Sequence, residues 1–334
     1  MQLDFTHYQS AHCESGVASN LLRDKGLELS EPMVFGLGSG IFYVYLPFLK
    51  VSNAPGLSYR PMPGWIFSRV CRRLGIKIKR QKFSNTQKAQ QQLDDNLKNN
   101  IPTGLQVGVY HLPYFPDDYR FHFNANNLVI YGKEGGEYLV SDPTMEGVHR
   151  LTEKELEKVR FAKGVLAPKG HLYYPISIPD ETGIDWEKAI RKSIKKACND
   201  MLAPVPIVGV KGMCTVAKAI AKWPKKLGVP KANYYLAQMV RMQEEIGTGG
   251  GGFRYIYSAF LQEAGKKINL PALSDMSEEM TKIGDLWRDF AVNASRVYKK
   301  RSNQEDVYNS LSAELLHLAD LEEAFFKKLK AVVS

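Results

Sequence analysis

The sequence contains few cysteines and lacks any long apolar run. Its four cysteines (Cys13, Cys71, Cys198 and Cys214) lie far apart without a CxxC pair, which argues against a disulfide framework or a structural zinc site. No apolar stretch approaches the roughly 18 residues that span a bilayer, and no basic-then-apolar leader precedes Cys13. We therefore expect free thiols, no bound metal, no transmembrane segment and a cytoplasmic location.

Acidic residues are outnumbered by basic ones, which gives a formal net charge of +10. The lysines are scattered over helical stretches such as "RKSIKKA" and "KWPKKLG", without the interleaved aromatic residues of a strand-binding platform. We therefore expect no nucleic acid partner and interpret the charge as a solvated basic face. The alternative is a patch that attracts an acidic protein.

Hydrophobic periodicity predicts an α+β protein with two domains. A leading helix that ends near Gly26 precedes five predicted strands ("IFYVYLPF", "IKIKRQKF", "GLQVGVYHL", "NLVIYG" and "EYLVSD"), the last two of which form an antiparallel hairpin. The Pro-containing stretch "HLYYPISIPDETG" is interpreted as a linker, and the following pattern is helical. The predicted domains are residues 1–177 and 178–334. Helices of the second domain are expected at about 185–202, 210–227, 229–246, 253–268, 272–300 and 304–332.

Cys13 lies at the predicted start of the leading helix, in "SAHCESGVASNLL". Backbone amides and the helix dipole at this position stabilise a thiolate, and the Cys13 amide and the Gln9 side chain are candidate oxyanion donors. The alternative is an inert, buried cysteine, because free cysteine often behaves as a small apolar residue.

His122 and Asp142 are candidate partners for Cys13. They flank the hairpin in "RFHFNANNLVIYGKEGGEYLVSDPTMEG", so that a cysteine on a leading helix is followed by a histidine and an acid on the sheet. In this interpretation, His122 accepts the thiol proton and Asp142 orients the imidazole. The alternatives are a half-buried strand histidine and an aspartate that only forms a turn.

These motifs carry a family resemblance. "HCESGVASNLL", "LSEPMVFGLGSGIFYVY" and the "IYG…YLVSDP" hairpin resemble the N-terminal domain of the butirosin-biosynthesis acyltransferase BtrH and its relatives, a papain-like domain related to bacteriocin-processing cysteine peptidases. "GTGGGGFRYIYSAFLQEA" and "LWRDFA" are similar to the helical domain of unknown function that commonly follows. The resemblance implies a papain-like fold and acyl transfer from the phosphopantetheine thioester of an acyl carrier protein. It also implies that Cys13 is the nucleophile and Asp142 the orienting acid.

The position of the base departs from the family pattern. Relatives place the base about six residues before the hairpin glycine, which corresponds to Asn126. Residues 122 and 126 of a strand are about 13 Å apart unless a bulge intervenes. Either a bulge in "HFNAN" brings His122 to Cys13, or Asn126 occupies the base position and the base is absent or supplied by another histidine such as His12 or His111.

A glycine run in "GTGGGGFRYIY" is a candidate anion site. The amides of Gly249, Gly250, Gly251 and Gly252, with Arg254, are expected to hold the phosphate of phosphopantetheine. The alternative is a flexible connection between helices.

Three functions are compatible with these residues. The first is an acyltransferase that forms a Cys13 thioester and passes the acyl group to an amine or hydroxyl of a small-molecule or lipid acceptor, in secondary-metabolite or lipid biosynthesis. Its donor is an acidic acyl carrier protein or coenzyme A, with no resident cofactor. The second is an amidase, peptidase or thioesterase with the same Cys-His-Asp set, and the third is a catalytically silent acyl-binding or carrier-binding module. The sequence is also compatible with the formation of a homo-oligomer.

Overall fold

The computed structural model describes residues 1–117, 120–299 and 306–334. Its strands are β1 (Val44–Val51), β2 (Ala54–Ser58), β3 (Lys77–Gln81), β4 (Thr103–Val107), β5 (Asn126–Glu134), β6 (Glu137–Ser141), β7 (His149–Thr152) and β8 (Leu172–Ser177). Its helices are α1 (Cys13–Asp24), α2 (Glu31–Leu37), α3 (Trp65–Leu74), α4 (Thr86–Lys98), α5 (Glu153–Arg160), α6 (Trp186–Met201), α7 (Gly209–Ile220), α8 (Trp223–Leu227), α9 (Val229–Glu244), α10 (Arg254–Lys267), α11 (Ala272–Tyr298) and α12 (Val307–Val332).

The chain divides into two compact units. The first unit comprises Met1–Val34 and Ile66–Ile184, and the second comprises Phe35–Trp65 and Asp185–Ser334. The domain boundary proposed after residue 177 falls at the end of β8, seven residues before the first unit ends at Ile184. No pattern in the sequence indicated that Phe35–Trp65, which contains the predicted strand "IFYVYLPF", packs with the helical residues.

The first unit is built on a six-stranded sheet in the order β3-β8-β4-β5-β6-β7. Each neighbouring pair is antiparallel, as the hairpin pattern predicted. The turn between β5 and β6 contains Gly135 and Gly136, both with positive φ, which glycine adopts without strain. Apolar residues from β4, β5 and β6 form a core with α4 and α5, and α1 packs on β5.

The stretch interpreted as a linker contains a strand at an interior position of this sheet. β8 lies between β3 and β4. It was overlooked because Pro175 is unusual inside a sheet, where proline removes a ladder hydrogen bond. The register of β3 and β8 shifts next to Pro175, between the pairs Lys77↔Ser177 and Ile78↔Pro175, and this irregularity accommodates the missing N–H. The linker interpretation was wrong.

The second unit combines the β1–β2 hairpin with helices α6 to α12. The observed helices follow the predicted ones closely, except that the helix expected at 210–227 is divided into α7 and α8. Pro224 lies in the first turn of α8. The first turn of a helix tolerates proline, whereas a helix interior does not. The helix expected at 304–332 is observed from Val307 to Val332. The expected helical residues 304 and 305 lie outside the described part of the chain.

The predicted fold class is confirmed, because a leading helix and an antiparallel sheet form one unit and the C-terminal part is helical. In one other detail the prediction was wrong: "GLQVGVYHL" is not one strand, since β4 ends at Val107 and a short 3-10 helix, Val109–His111, follows. Among the described residues, no helix is both long and apolar enough to cross a membrane.

Candidate active site

Cys13 is the first residue of α1, as predicted. Its N-cap is His12, whose Nδ1 lies 2.9 Å from the Ser15 hydroxyl and 3.4 Å from the Ser15 amide. Cys13 is 6% exposed and His12 is 2% exposed. The nucleophile candidate therefore lies at a helix N-terminus, beneath the surface of the first unit.

The Cys13 sulfur contacts the beginning of β5. Its thiol donates to the carbonyl of Ala125 at 3.9 Å, and Asn127 Nδ2 approaches the sulfur at 3.8 Å. Asn127 is held in place because its Oδ1 accepts a 2.7 Å hydrogen bond from the hydroxyl of Tyr173. An amide N–H directed at sulfur stabilises the thiolate relative to the thiol.

Asp142 follows β6 and is completely buried. Thr144 donates to Oδ1 through its amide at 3.1 Å and its hydroxyl at 2.7 Å. Asn126 Nδ2 donates to Oδ2 at 2.9 Å, and the Tyr114 hydroxyl donates at 3.2 Å. Burial raises the pKa of Asp142, while these hydrogen bonds act in the opposite direction. Asp142 thus orients a side chain on β5, and that side chain is an amide.

Asn126 occupies the position that the family resemblance assigns to the base. The pairing of β4 with β5 runs in regular register from Thr103↔Ile130 to Val107↔Asn126, so β5 has no bulge at this end. Consecutive asparagines divide the contacts, since Asn126 binds Asp142 and Asn127 approaches Cys13. A carboxamide does not exchange protons at neutral pH, and so cannot serve as a general base.

His122 is placed away from this arrangement. Its side chain is exposed, and its ring stacks on Tyr110 with a centroid distance of 4.2 Å. His111 also contacts the Tyr110 ring, edge to face at 5.0 Å. Within the described residues, His122 forms no hydrogen bond with Cys13 or Asp142. The expected Cys13–His122–Asp142 set is therefore not assembled. β5 begins only at Asn126, so His122 lies in the non-strand segment before it and stacks on Tyr110 instead.

The other predicted oxyanion donor, Gln9, has an exposed side chain. Glu31, in contrast, is closely associated with the start of α1. Its carboxylate accepts hydrogen bonds from the amides of Ala11 at 3.0 Å and His12 at 2.6 Å, and from the Ser15 hydroxyl at 3.3 Å. Burial raises the pKa of Glu31 against these hydrogen bonds. Glu31 thus acts as a partner of backbone amides.

The predicted phosphate site at the glycine run is filled by carboxylates of the chain itself. The Gly251 amide donates to Glu244, with distances of 3.1 and 3.3 Å to its two oxygens. The Gly250 amide donates to the Thr248 hydroxyl at 3.1 Å. Arg254 is fully buried in a bidentate ion pair with Glu322, at 2.8 and 2.9 Å. The amides of Gly250 and Gly251 and the Arg254 guanidinium thus have partners within the second unit, and the Gly252 carbonyl accepts from Arg254 at 2.7 Å.

Sequence reasoning missed Asn127, Tyr114 and Thr144. One signal was available: three asparagines, Asn124, Asn126 and Asn127, fall within four residues at the start of a predicted strand, where asparagine is disfavoured. All three are buried. Buried amides need hydrogen-bond partners, so such a cluster indicates a polar site.

Two family models match this chain. The model described as Domain of unknown function (DUF4872) matches residues 154–329, and the chain belongs to this family. The model described as Butirosin biosynthesis protein H, N-terminal, matches residues 12–143. The predicted family resemblance is thereby confirmed. The first unit, with a cysteine at the start of a helix that packs on an antiparallel sheet, has the arrangement that this resemblance predicts.

A search of the curated proteins gives no match. Among solved structures, the chain is similar to a Bacillus anthracis protein described as a C39-like peptidase, with 11% identity and a TM-score of 0.36. The alignment covers 53% of this chain and 98% of that protein. A similarity at this level adds nothing to the assignment of function.

Proposed function

We propose that this protein is an acyltransferase in which Cys13 takes an acyl group from a thioester donor and passes it to an amine or hydroxyl acceptor. The observation that carries the proposal is the hydrogen bond between Asn126 and Asp142. By the residue count that the family resemblance supplies, this neutral amide stands at the position of the imidazole in a Cys-His-Asp hydrolase. Only reactions of a cysteine that need no imidazole are compatible with an amide at this position.

Amide and thioester cleavage differ in whether the leaving group needs a proton from an acid. Cleavage of an amide expels an amine, which leaves only when an acid delivers a proton to its nitrogen. Cleavage of a thioester expels a thiolate, whose conjugate acid has a pKa of about 8.5, so no acid is needed. A cysteine without an Asp-oriented imidazole is therefore suited to thioester donors and poorly suited to peptides or amides.

The proposed first step is thiol–thioester exchange. The Cys13 thiolate attacks the donor carbonyl, a new carbon–sulfur bond forms, and the donor's carbon–sulfur bond breaks. The departing thiolate takes up a proton equivalent to the one that Cys13 released. The Asn127 amide, at 3.8 Å from the sulfur, favours the ionised form at the start of this step. An amine or hydroxyl acceptor then attacks the acyl-Cys13 carbonyl and releases the Cys13 thiol.

Phosphopantetheine thioesters, on an acyl carrier protein or as coenzyme A, are the donors that fit this chemistry and the family match. Carrier proteins are usually acidic, which is complementary to a chain with net charge +10. We further propose secondary-metabolite or lipid biosynthesis in the cytoplasm, where such donors are made.

A binding module without catalysis is the second candidate, and the same Asn126–Asp142 hydrogen bond favours it. Acyl transfer and silent binding differ in whether a covalent adduct forms on Cys13. Within the hydrolase alternative, an amidase or peptidase is the least supported, because its leaving group is an amine. A thioesterase shares the proposed first step and differs only in that water, not an amine or hydroxyl, attacks acyl-Cys13.

The test is to incubate the full chain with acyl-coenzyme A or an acyl N-acetylcysteamine thioester of several chain lengths, and to map adducts by peptide mass spectrometry. We expect the acyl mass on Cys13, and no adduct at that peptide in Cys13→Ala. Cys214→Ala is the matched control, because Cys214 is the half-buried thiol of the second unit. The two remaining thiols should stay unmodified, since burial raises the pKa of both Cys71 and Cys198 to about 12.

The proposal fails if no acyl length modifies Cys13, or if Cys13→Ala retains full transfer to a hydroxylamine acceptor. Binding of the donor without an adduct would instead establish the silent module.

A further inference from the structure

The β1–β2 hairpin of the second unit ends in a tight, fixed tip. Val51 pairs with Ala54, and the two residues between them, Ser52 and Asn53, have φ values of +48° and +60°. Positive φ at both central residues is the conformation of a type I′ turn, which matches the twist of a hairpin. The hydroxyl of Tyr234 on α9 donates to the Ser52 carbonyl at 2.5 Å, so this tip is held against a helix.

A bulge next to the tip exposes apolar side chains. Leu46 pairs with Gly56 and Lys50 pairs with Pro55, so the residues from Pro47 to Leu49 have no counterpart on β2. Phe48 is 76% exposed and Leu49 41%. Val51, at the tip, is 46% exposed. We call Phe48, Leu49 and Val51 the apolar finger. Single exposed apolar residues are ordinary, whereas a group on one protrusion indicates an interaction site.

A basic surface adjoins the apolar finger. Lys50 Nζ donates to the hydroxyl of Tyr235 on α9 at 3.2 Å, and the Tyr235 ring packs edge to face on Trp223 of α8 at 5.4 Å. The hairpin therefore lies beside the junction of α8 and α9. This junction carries four exposed lysines, which we call the basic corner: Lys222, Lys225, Lys226 and Lys231.

The sequence around both features lacks acidic residues entirely. No aspartate or glutamate occurs from residue 32 to residue 93, or from residue 202 to residue 243. The lysines of α7 are left out of the basic corner, because Lys211 interacts with the acidic Glu323 of α12. The hairpin tip and the basic corner thus combine exposed aromatic and aliphatic side chains with lysines that, within the described part of the chain, form no ion pair with a carboxylate.

We propose that the apolar finger and the basic corner bind the surface of a membrane that contains anionic lipids. Exposed Phe and Leu side chains beside a lysine cluster are the combination that binds such interfaces: the apolar groups enter the headgroup region and the lysines are attracted to anionic lipids. Exposed side chains of a hairpin can enter a deformable lipid layer without a preformed pocket in the partner. An acidic protein with a pocket for Phe48 is the competing occupant, and the test separates the two.

This interaction is independent of Cys13 and of the proposed acyl transfer, so either proposal can fail alone. The test is sedimentation of the full chain with vesicles of phosphatidylcholine alone, and with vesicles in which about a third of the lipid is phosphatidylglycerol, at low and high salt. We expect binding to the anionic vesicles only, weakened by salt. Cys13→Ala should bind like the unaltered chain.

Paired variants identify the surface. Phe48→Ser with Leu49→Ser should lower the partition coefficient by about 100-fold, because two large apolar side chains no longer enter the interface. Lys225→Glu with Lys226→Glu should lower it by about 25-fold or more, at about fivefold for each lost charge. Two matched controls, Val165→Ser in the first unit (Val165 is 69% exposed) and Lys192→Glu with Lys195→Glu on α6, should leave binding unchanged.

Each contrary outcome overturns the proposal. Absence of vesicle binding, equal binding to neutral vesicles, or binding that survives the Phe48 and Leu49 substitutions would each do so. If those substitutions instead abolish transfer from an acidic carrier protein while vesicles are not bound, the finger is a protein-docking site.

Discussion

Asn126→His is the substitution that most directly tests why this site favours thioester chemistry. Asn126 Nδ2 donates to Asp142 at 2.9 Å, and an imidazole at this position has an N–H that can make the same hydrogen bond. The neighbouring residues both contact the sulfur, Ala125 through its carbonyl at 3.9 Å and Asn127 through its amide at 3.8 Å. Successive side chains of a strand point to opposite faces, and the Asn127 side chain is the one that faces the sulfur. Asn126→His therefore tests whether an imidazole held by Asp142 acts on an acyl group carried by Cys13.

The expected effect is faster hydrolysis of the acyl-enzyme. General acid–base catalysis by a positioned side chain contributes about 10²–10⁴-fold, so we expect the half-life of acyl-Cys13 to fall by about 100-fold or more. Because the imidazole is larger than the amide and Asn126 is 4% exposed, the variant should also lose about 1–3 kcal/mol of unfolding free energy. The unaltered chain should show a single rise of acylation rate with pH, and Asn126→His a bell-shaped profile.

The assay is intact-protein mass spectrometry of acyl-Cys13 decay, after acylation by a thioester and removal of excess donor, from about pH 5 to pH 9. Asn126→Gln is the matched control, because it adds length without a titratable group and should decay like the unaltered chain. If folded Asn126→His hydrolyses its adduct no faster than Asn126→Gln, then position 126 is not the base position and the argument from leaving groups loses its premise.

Two further predictions concern stability. Glu322→Leu leaves the buried Arg254 without its counter-ion and Trp287 Nε1 without its 2.6 Å acceptor, so it should lower the free energy of unfolding by about 3–5 kcal/mol and the melting temperature by about 10 °C. The double variant Glu322→Leu with Arg254→Met should recover most of this loss in a calorimetric scan. Equal melting temperatures for the single and double variants would contradict this. Burial lowers the pKa of His171 to about 4, below its value in the unfolded chain, so unfolding takes up a proton. The free energy of unfolding should therefore fall by about 3 kcal/mol as the pH decreases from about 6.5 to 4. His171→Gln should lack this pH dependence in urea unfolding, and an unchanged pH dependence would refute the assignment.

Local signals made much of this fold predictable. The start of α1 at Cys13, the β5–β6 hairpin and most helices of the second unit depend on caps, glycines and periodicity that lie within a few residues. β8 could not be predicted in this way, because Pro175 carries the local signal of a loop, while the pairing partners that make it a strand are about 70 and 95 residues away in sequence. The packing of Phe35–Trp65 in the second unit is likewise a long-range effect.

Only some of the residues of the candidate site could be predicted from the sequence. Cys13 and Asp142 were identified from their order along the chain, and both are buried beside the start of β5. The division of contacts between Asn126 and Asn127 depends on the register of β4 with β5, which no local pattern specifies. Likewise, Arg254 was predicted to bind phosphate, because its actual partner Glu322 is 68 residues away in sequence.

The start of α1 also activates the thiol less than the sequence suggests. A helix N-terminus stabilises a thiolate through its unpaired amides. Here the Glu31 carboxylate already accepts from the amides of Ala11 and His12, and the Ser15 amide is capped by His12. In its ionised form Glu31 adds negative charge at the same end of the helix, which opposes a second anion on Cys13. A weakly activated thiol needs an acyl donor that is itself reactive, and a thioester meets this requirement where an amide does not.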